Sequence, residues 1–238
     1  MNAEGLGLQG VTPPLRWCDY SVAAFDMDST LITIECVDEI ADFAGRKAEV
    51  AAITEAAMRG DIADYKESLR RRVALLGGLG ADVLQRVLDE RLRLTEGAEA
   101  LLAACRAHGL ATLLVSGGFT FFADRVRDRL AIDAVRANVL EVVDGRLTGR
   151  LLDQPWGDIV DGEMKKQTLV ETCERLGVPP SRAIAVGDGA NDLPMLGVAG
   201  LSVAFHAKPA VRERAMVAID RGGLDRLLGL FESAPQPT

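Results

Sequence analysis

Apolar and polar positions divide this chain into short, wholly apolar runs and longer segments in which apolar residues recur every three or four positions. Five runs stand out: VAAF before Asp26, ATLLV before Ser116, AIAV before Gly187, LSVAF before His206 and VAI before Asp220. A run with no polar alternation is covered on both faces, which is the pattern of a buried parallel strand. Between the runs lie helical patterns, such as Phe119, Phe122, Ala123, Val126 and Leu130, whose spacing lays one apolar face on a sheet. Strand and helix in alternation predict an α/β fold with a doubly wound, mostly parallel sheet.

Two segments interrupt the alternation. From Cys36 to about Arg93 there is helical periodicity without a convincing strand. Val37, Ile40, Ala41 and Ala44 precede Gly45; Val50, Ile53 and Ala57 precede Gly60; Tyr65, Leu69, Val73 and Leu76 precede Gly77 and Gly78; Leu84, Val87 and Leu88 follow. Glycine stops and short apolar faces predict an inserted four-helix cap above the strand ends. The second interruption, VLEVVDGRLTGRLL, places two β-prone runs around Asp144-Gly145 and predicts a small β-hairpin insertion. The expected division is an N-terminal extension over 1–19, a core over 20–35 and 94–231, a helical cap over 36–93 and a flexible tail over 232–238.

Composition narrows the partners. With 48% apolar and 26% charged residues the chain has ordinary globular content. A net charge of -8 repels polyanions, so neither nucleic acid nor an anionic membrane is expected as a partner. A small anion would need a local trap. No apolar stretch approaches the roughly 20 residues that span a bilayer, and the start, MNAEGLGLQG, lacks the charge and apolar core of a secretory signal. Cys18, Cys36, Cys105 and Cys173 are too scattered for a zinc site or a disulfide scaffold, which suggests a cytoplasmic protein.

In an open parallel sheet the loops after the strands meet in one crevice. Asp26, Ser116 and Asp188 all follow predicted strands. Each alone could equally cap a helix or make a turn; together they describe a site. DMDST sets two mutually repelling carboxylates one residue apart, and GDGANDLPML adds Asp188, Asn191 and Asp192. Hard carboxylate oxygens suit Mg²⁺, which would relieve the repulsion and share a substrate phosphate. Ser116-Gly117-Gly118, expected to end its strand and open a helix, offers a hydroxyl and unobstructed N–H groups to an anion. Lys165, in GEMKKQTL, could add positive charge, although a lone helical lysine is usually solvated surface.

The order DMDST and VSGGF after strands, then a lysine in a helical pattern, then GDGAND after a strand, resembles the four-motif pattern of the haloacid dehalogenase superfamily of phosphotransferases, from about Tyr20 onward. IECVDEIADFAG, AMRG, SLRRRV, VSGGFTFFADRV and AVGDGANDLPML are similar in particular to its phosphoserine phosphatases. That resemblance implies Asp26 as the nucleophile that forms an aspartyl phosphate, and Asp28 as the acid and then the base. It implies Mg²⁺ on the carboxylates of Asp26 and Asp188 and the backbone carbonyl of Asp28, with Asp192 in support. Ser116, the Gly117 amide, Lys165 and Asn191 would cradle the phosphate, Lys166 being the competing lysine.

For the small-molecule substrate O-phosphoserine, the resemblance implies Glu35 for the ammonium and Arg72 for the carboxylate. Arg70, Arg71 and Arg72 would otherwise read as a solvated helix face. Met58, in AMRG, and Tyr65, in the following segment DIADYKE, which is one residue longer than the family pattern, would shield the substrate. The short start implies no amino-acid-sensing domain. His108, His206, Trp17 and Trp156 receive no chemical role. Transfer to homoserine, hydrolysis of another small phosphomonoester and a non-catalytic phosphate-binding regulator remain open; an ion pump would need membrane spans. Oligomeric state is not encoded in these patterns.

Overall fold

Residues 5–59 and 64–232 are described by the structure, a computed structural model; the side chains of 57–59, Met58 among them, and the tail beyond 232 lie outside that description. The strands are β1 (Leu6–Leu8), β2 (Val22–Phe25), β3 (Ala111–Phe119), β4 (Ala134–Val143), β5 (Arg146–Leu152), β6 (Ala183–Gly187), β7 (Leu201–Phe205) and β8 (Val217–Ile219). They form one sheet in the order β1-β8-β7-β6-β2-β3-β4-β5. All five expected strands are present and run parallel, and only the outermost pairs, β1 with β8 and β4 with β5, are antiparallel. After β2 the chain first builds the β3 side and later returns to β6 on the other side. This reversal opens a crevice at the carboxyl end of β2.

Both faces of the sheet are covered, which is why its central strands read as continuous apolar runs. Ala23 and Phe25 pack with Leu101 and Leu102 of α5 (Ala98–Ala107) and Phe122 and Val126 of α6 (Thr120–Leu130). Val22 and Ala24 pack with Leu169 and Cys173 of α7 (Gly162–Arg175) on the opposite face. A side chain such as Phe25, fully removed from water, contributes about 1.5–3 kcal/mol.

Between β2 and α5 lie the four inserted helices, α1 (Cys36–Phe43), α2 (Lys47–Arg59), α3 (Tyr65–Ala74) and α4 (Asp82–Glu90). Val37, Ile40, Val50, Leu69, Val73, Leu84 and Val87 of the predicted faces are buried, Ala44, Ile53, Tyr65 and Leu88 are half-buried, and Cys36, Ser68 and Val83 are buried beside them. Gly45 ends the first with φ +68°, a conformation that costs glycine little. The insertion rests on the hairpin: Gly78 N–H donates to Leu147 O and Leu147 N–H to Leu79 O, each at 2.8 Å.

Two features exceed the sequence reading. β4 begins at Ala134 and pairs in parallel with β3, so the hairpin continues the main sheet. Asp144 and Gly145 both adopt positive φ, +49° and +71°, as a two-residue hairpin turn requires. At the other end, β1 extends the sheet, and Trp17 is stacked between His108 and Phe231 with ring centroids at 4.5 and 3.9 Å. All four cysteines are free. Among the described residues, no helix is long and apolar enough to cross a membrane.

Candidate active site

A cleft of about 810 Å³ opens over the carboxyl ends of β2, β3 and β6. Asp26, Asp28, Glu35, Arg72, Ser116, Gly117, Asp188 and Asn191 all line it, and Lys165 lies buried behind Asp26. The spacing of DMDST follows from the loop: Met27 is fully buried in the core, while the residues on either side of it face the cleft. Ser29 then takes φ +56°, turning the chain back, and its hydroxyl donates to Glu35 Oε1 at 2.6 Å.

Asp26 Oδ1 accepts from Met27 N–H at 2.7 Å and from Lys165 Nζ at 2.8 Å. Lys165 sits in the first turn of α7, whose N-cap, Asp161, accepts from Met164 N–H at 2.8 Å. One helical step on, Lys166 does not line the cleft and pairs with Glu163 at 3.1 Å. Lys165 also donates to Asp192 Oδ1 at 2.7 Å. The other oxygen of Asp192 accepts the amides of Asp188 and Gly189 at 3.1 and 3.0 Å, so this fully buried carboxylate braces the loop after β6. Thr30 Oγ1 donates to Asp188 Oδ1 at 3.2 Å, tying that loop to the one after β2.

The Ser116-Gly117-Gly118 segment differs from expectation. It does not open a helix: β3 continues to Phe119 and α6 starts at Thr120. Pairing with β4 jumps from Val115↔Arg136 to Phe119↔Asn138, so the three residues bulge out of the ladder. Gly118 N–H donates to Ser116 Oγ at 2.9 Å and fixes the hydroxyl. The buried Asn138 holds the bulge, its Nδ2 donating to Gly117 O at 2.8 Å while its Oδ1 accepts from Val160 N–H at 2.9 Å. A Cβ on Gly117 would overlap the Tyr65 hydroxyl, which lies directly above it.

On the helical side, Arg70 pairs with Asp158 and Arg71 with Glu67, both pairs in solvent. Arg72 instead lines the cleft, and its Nε is buried without an acceptor.

Residues 23–197 match the model of the haloacid dehalogenase-like hydrolases. A protein of Polaromonas sp. named phosphoserine phosphatase is 67% identical over 230 residues, 97% of this chain and 98% of its own. Two solved structures each superpose with TM-score 0.82 at 36% identity, over 90% of this chain and 99% of theirs. One is described as a phospho-aspartyl intermediate analogue of phosphoserine phosphatase, the other as a substrate-bound phosphoserine phosphatase complex. The chain belongs to the haloacid dehalogenase-like hydrolases.

Phosphatases of this family use a metal ion, and the residues present fit one. Oxygens of Asp26, Asp188 and Asp192 lie within 4.8 Å of one another, three carboxylates against the single ammonium of Lys165. Burial, then Glu35, pushes Asp28 up to about 7; burial, then Asp192, does the same to Asp188. Burial and Asp192 also push Asp26 up, against the pull of Lys165. Burial alone would lower Lys165, but Asp192 and Asp26 outweigh it and keep the amine charged. The surplus of negative charge and the hard oxygen donors suit a divalent cation.

Thr30, Cys36 and Asn138 support this site and carried no assignment from sequence. Thr30 stands inside DMDST and could have been read from it. Cys36, whose N–H and Sγ–H reach the Asp28 carboxyl oxygens at 3.1 Å each, looks like ordinary core. Asn138 lies mid-strand, where only the register with β3 reveals its contact.

Proposed function

We propose that the protein is an Mg²⁺-dependent phosphoserine phosphatase, hydrolysing O-phospho-L-serine to L-serine and phosphate through an aspartyl phosphate on Asp26. The observation that carries this reading is one cleft with a counterpart for each charge of that substrate. Ser116 and the cation site lie on its floor for the phosphate, with Lys165 buried behind Asp26, while Glu35 lines it for the ammonium and Arg72, its Nε without an acceptor, for the carboxylate. The names of the similar proteins point the same way.

In this reading the Asp26 carboxylate attacks phosphorus while the bond to the seryl oxygen breaks and Asp28 gives that oxygen its proton. Asp28 then takes a proton from water as it attacks phosphorus and releases Asp26. A carboxyl pushed up to about 7 can both give and take a proton near neutral pH. Ser116, the Gly117 amide, Asn191 and Lys165 hold the phosphoryl oxygens. The carboxylates of Asp26 and Asp188 and the carbonyl of Asp28 would hold Mg²⁺, which supplies charge neutralisation and polarisation of the phosphoryl group. Residues 36–93 act as a cap that excludes water, with Tyr65 above the phosphate cradle. The product places the reaction at the last step of serine biosynthesis, and four free thiols suit the cytoplasm.

The test is phosphate release from phosphoserine beside a panel of phosphosugars, with Mg²⁺ and with chelator, and with homoserine as a competing acceptor. Release should be metal-dependent and fastest from phosphoserine. Asp26→Asn should abolish turnover and leave the melting transition in place; a fully active variant would refute the assignment.

A further inference from the structure

The carboxyl of Asp28 is held at both oxygens by one residue. Cys36 N–H donates to Oδ2 and Cys36 Sγ–H to Oδ1, each at 3.1 Å. Among the described residues, no other side chain or amide is seen to donate to it. Cys36 is the first residue of α1 and fully buried, so both donors are fixed by the helix and by the core around it. Its N–H is one of the helix-terminal donors that have no acceptor within the helix, and Asp28 satisfies it.

The two contacts do different things. A single hydrogen bond to Oδ2 would leave the carboxyl free to rotate about Cβ–Cγ, a torsion with broad, shallow preferences. The second contact, on Oδ1, fixes the plane. Oδ1 is the oxygen turned toward the β3 bulge, since a Cβ placed on Gly118 would come within 3.3 Å of it. The bulge is also where Ser116 and Gly117 offer their donors. A rigid carboxyl plane therefore keeps Oδ1 turned toward the phosphate cradle, and in the proposed function the seryl oxygen departs from the phosphorus held there.

We propose that Cys36 is a positioning residue whose thiol fixes the plane of the Asp28 carboxyl for proton delivery. This rests on the phosphatase reading and predicts a defect that follows the leaving group. A seryl alkoxide needs the proton as it leaves, whereas p-nitrophenolate departs without one.

The experiment compares kcat/KM for phosphoserine and p-nitrophenyl phosphate in the Mg²⁺-loaded wild type and in Cys36→Ala, Cys36→Val and Cys36→Ser, with melting temperatures recorded for each. Alanine underfills and valine overfills the space of the thiol, so a packing defect would differ between them, while a lost donor is common to both. Both should lose on the order of tenfold to a hundredfold on phosphoserine, through kcat with KM little changed, and about twofold or less on the aryl ester. Serine keeps a donor and should restore most of the loss. Equal losses on the two substrates, no loss in either non-donor variant, or a serine variant as poor as alanine would overturn the inference. A wild type inactive on phosphoserine would instead overturn the reading on which it rests.

Discussion

Arg72 differs from Arg70 and Arg71 in lining the cleft. Its neighbours are paired in solvent, whereas its Nε is buried without an acceptor, a state that costs about 1–3 kcal/mol. An anion reaching the cleft would remove that cost. Arg72→Ala should therefore raise KM for phosphoserine on the order of a hundredfold, because a site built for a polar group discriminates strongly. It should leave p-nitrophenyl phosphate hydrolysis nearly unchanged and lower the melting temperature little. Equal effects on both substrates would remove Arg72 from recognition. Lysine should rescue poorly, since it lacks the planar fork. From sequence, the run SLRRRV announced helix and charge, but which arginine faced the cleft rested on resemblance to a family. The structure shows the reason: successive positions on α3 point in different directions, and only one points inward.

At the scale of elements, the bulge in β3 places the phosphate cradle against α3, because Tyr65 touches Gly117 where any larger residue would sit. Gly117→Ala should push the tyrosine ring and its helix outward and lower kcat/KM. Removing the hydroxyl in Gly117→Ala/Tyr65→Phe should recover part of the loss, so that the two changes are non-additive by about 0.5–3 kcal/mol. Additive losses would mean that the helix does not bear on the cradle. What was legible here followed the periodicity. The five parallel strands showed because both faces are buried, and the four inserted helices because their apolar spacing is broken by glycines. The bulge was hidden because strand continuation through Ser116-Gly117-Gly118 depends on pairing with β4 and on Asn138, a contact between residues far apart in sequence. β1 was hidden for a related reason, as LGL has little strand character of its own and exists through β8.

At the scale of the whole molecule, a chain of net charge -8 gathers three carboxylates at one point and balances them with one buried lysine. The fold bears the resulting repulsion, and pH should reveal it. Asp28 and Asp188 are pushed up to about 7 by burial and by neighbouring carboxylates, against roughly 4 in an unfolded chain. Between those values the folded protein binds more protons than the unfolded one, so its stability falls as pH rises from about 4 to about 7 and then levels off. Glu141 and Asp158 shift the other way, through Thr148 and Lys66 respectively, but their contributions change only below the ordinary carboxylate range and leave this window untouched. Chelator-treated protein should therefore melt a few degrees lower at pH 8 than at pH 5. Mg²⁺ competes with protons for the same oxygens and should raise the melting temperature more at pH 8 than at pH 5, flattening the profile. Melting curves at unit pH intervals, with chelator and with Mg²⁺, measure both effects. A metal-free protein that grows more stable from pH 5 to pH 8 would show that burial and neighbouring carboxylates do not strain Asp28 and Asp188, and the electrostatic case for a divalent cation in the cleft would fall with it.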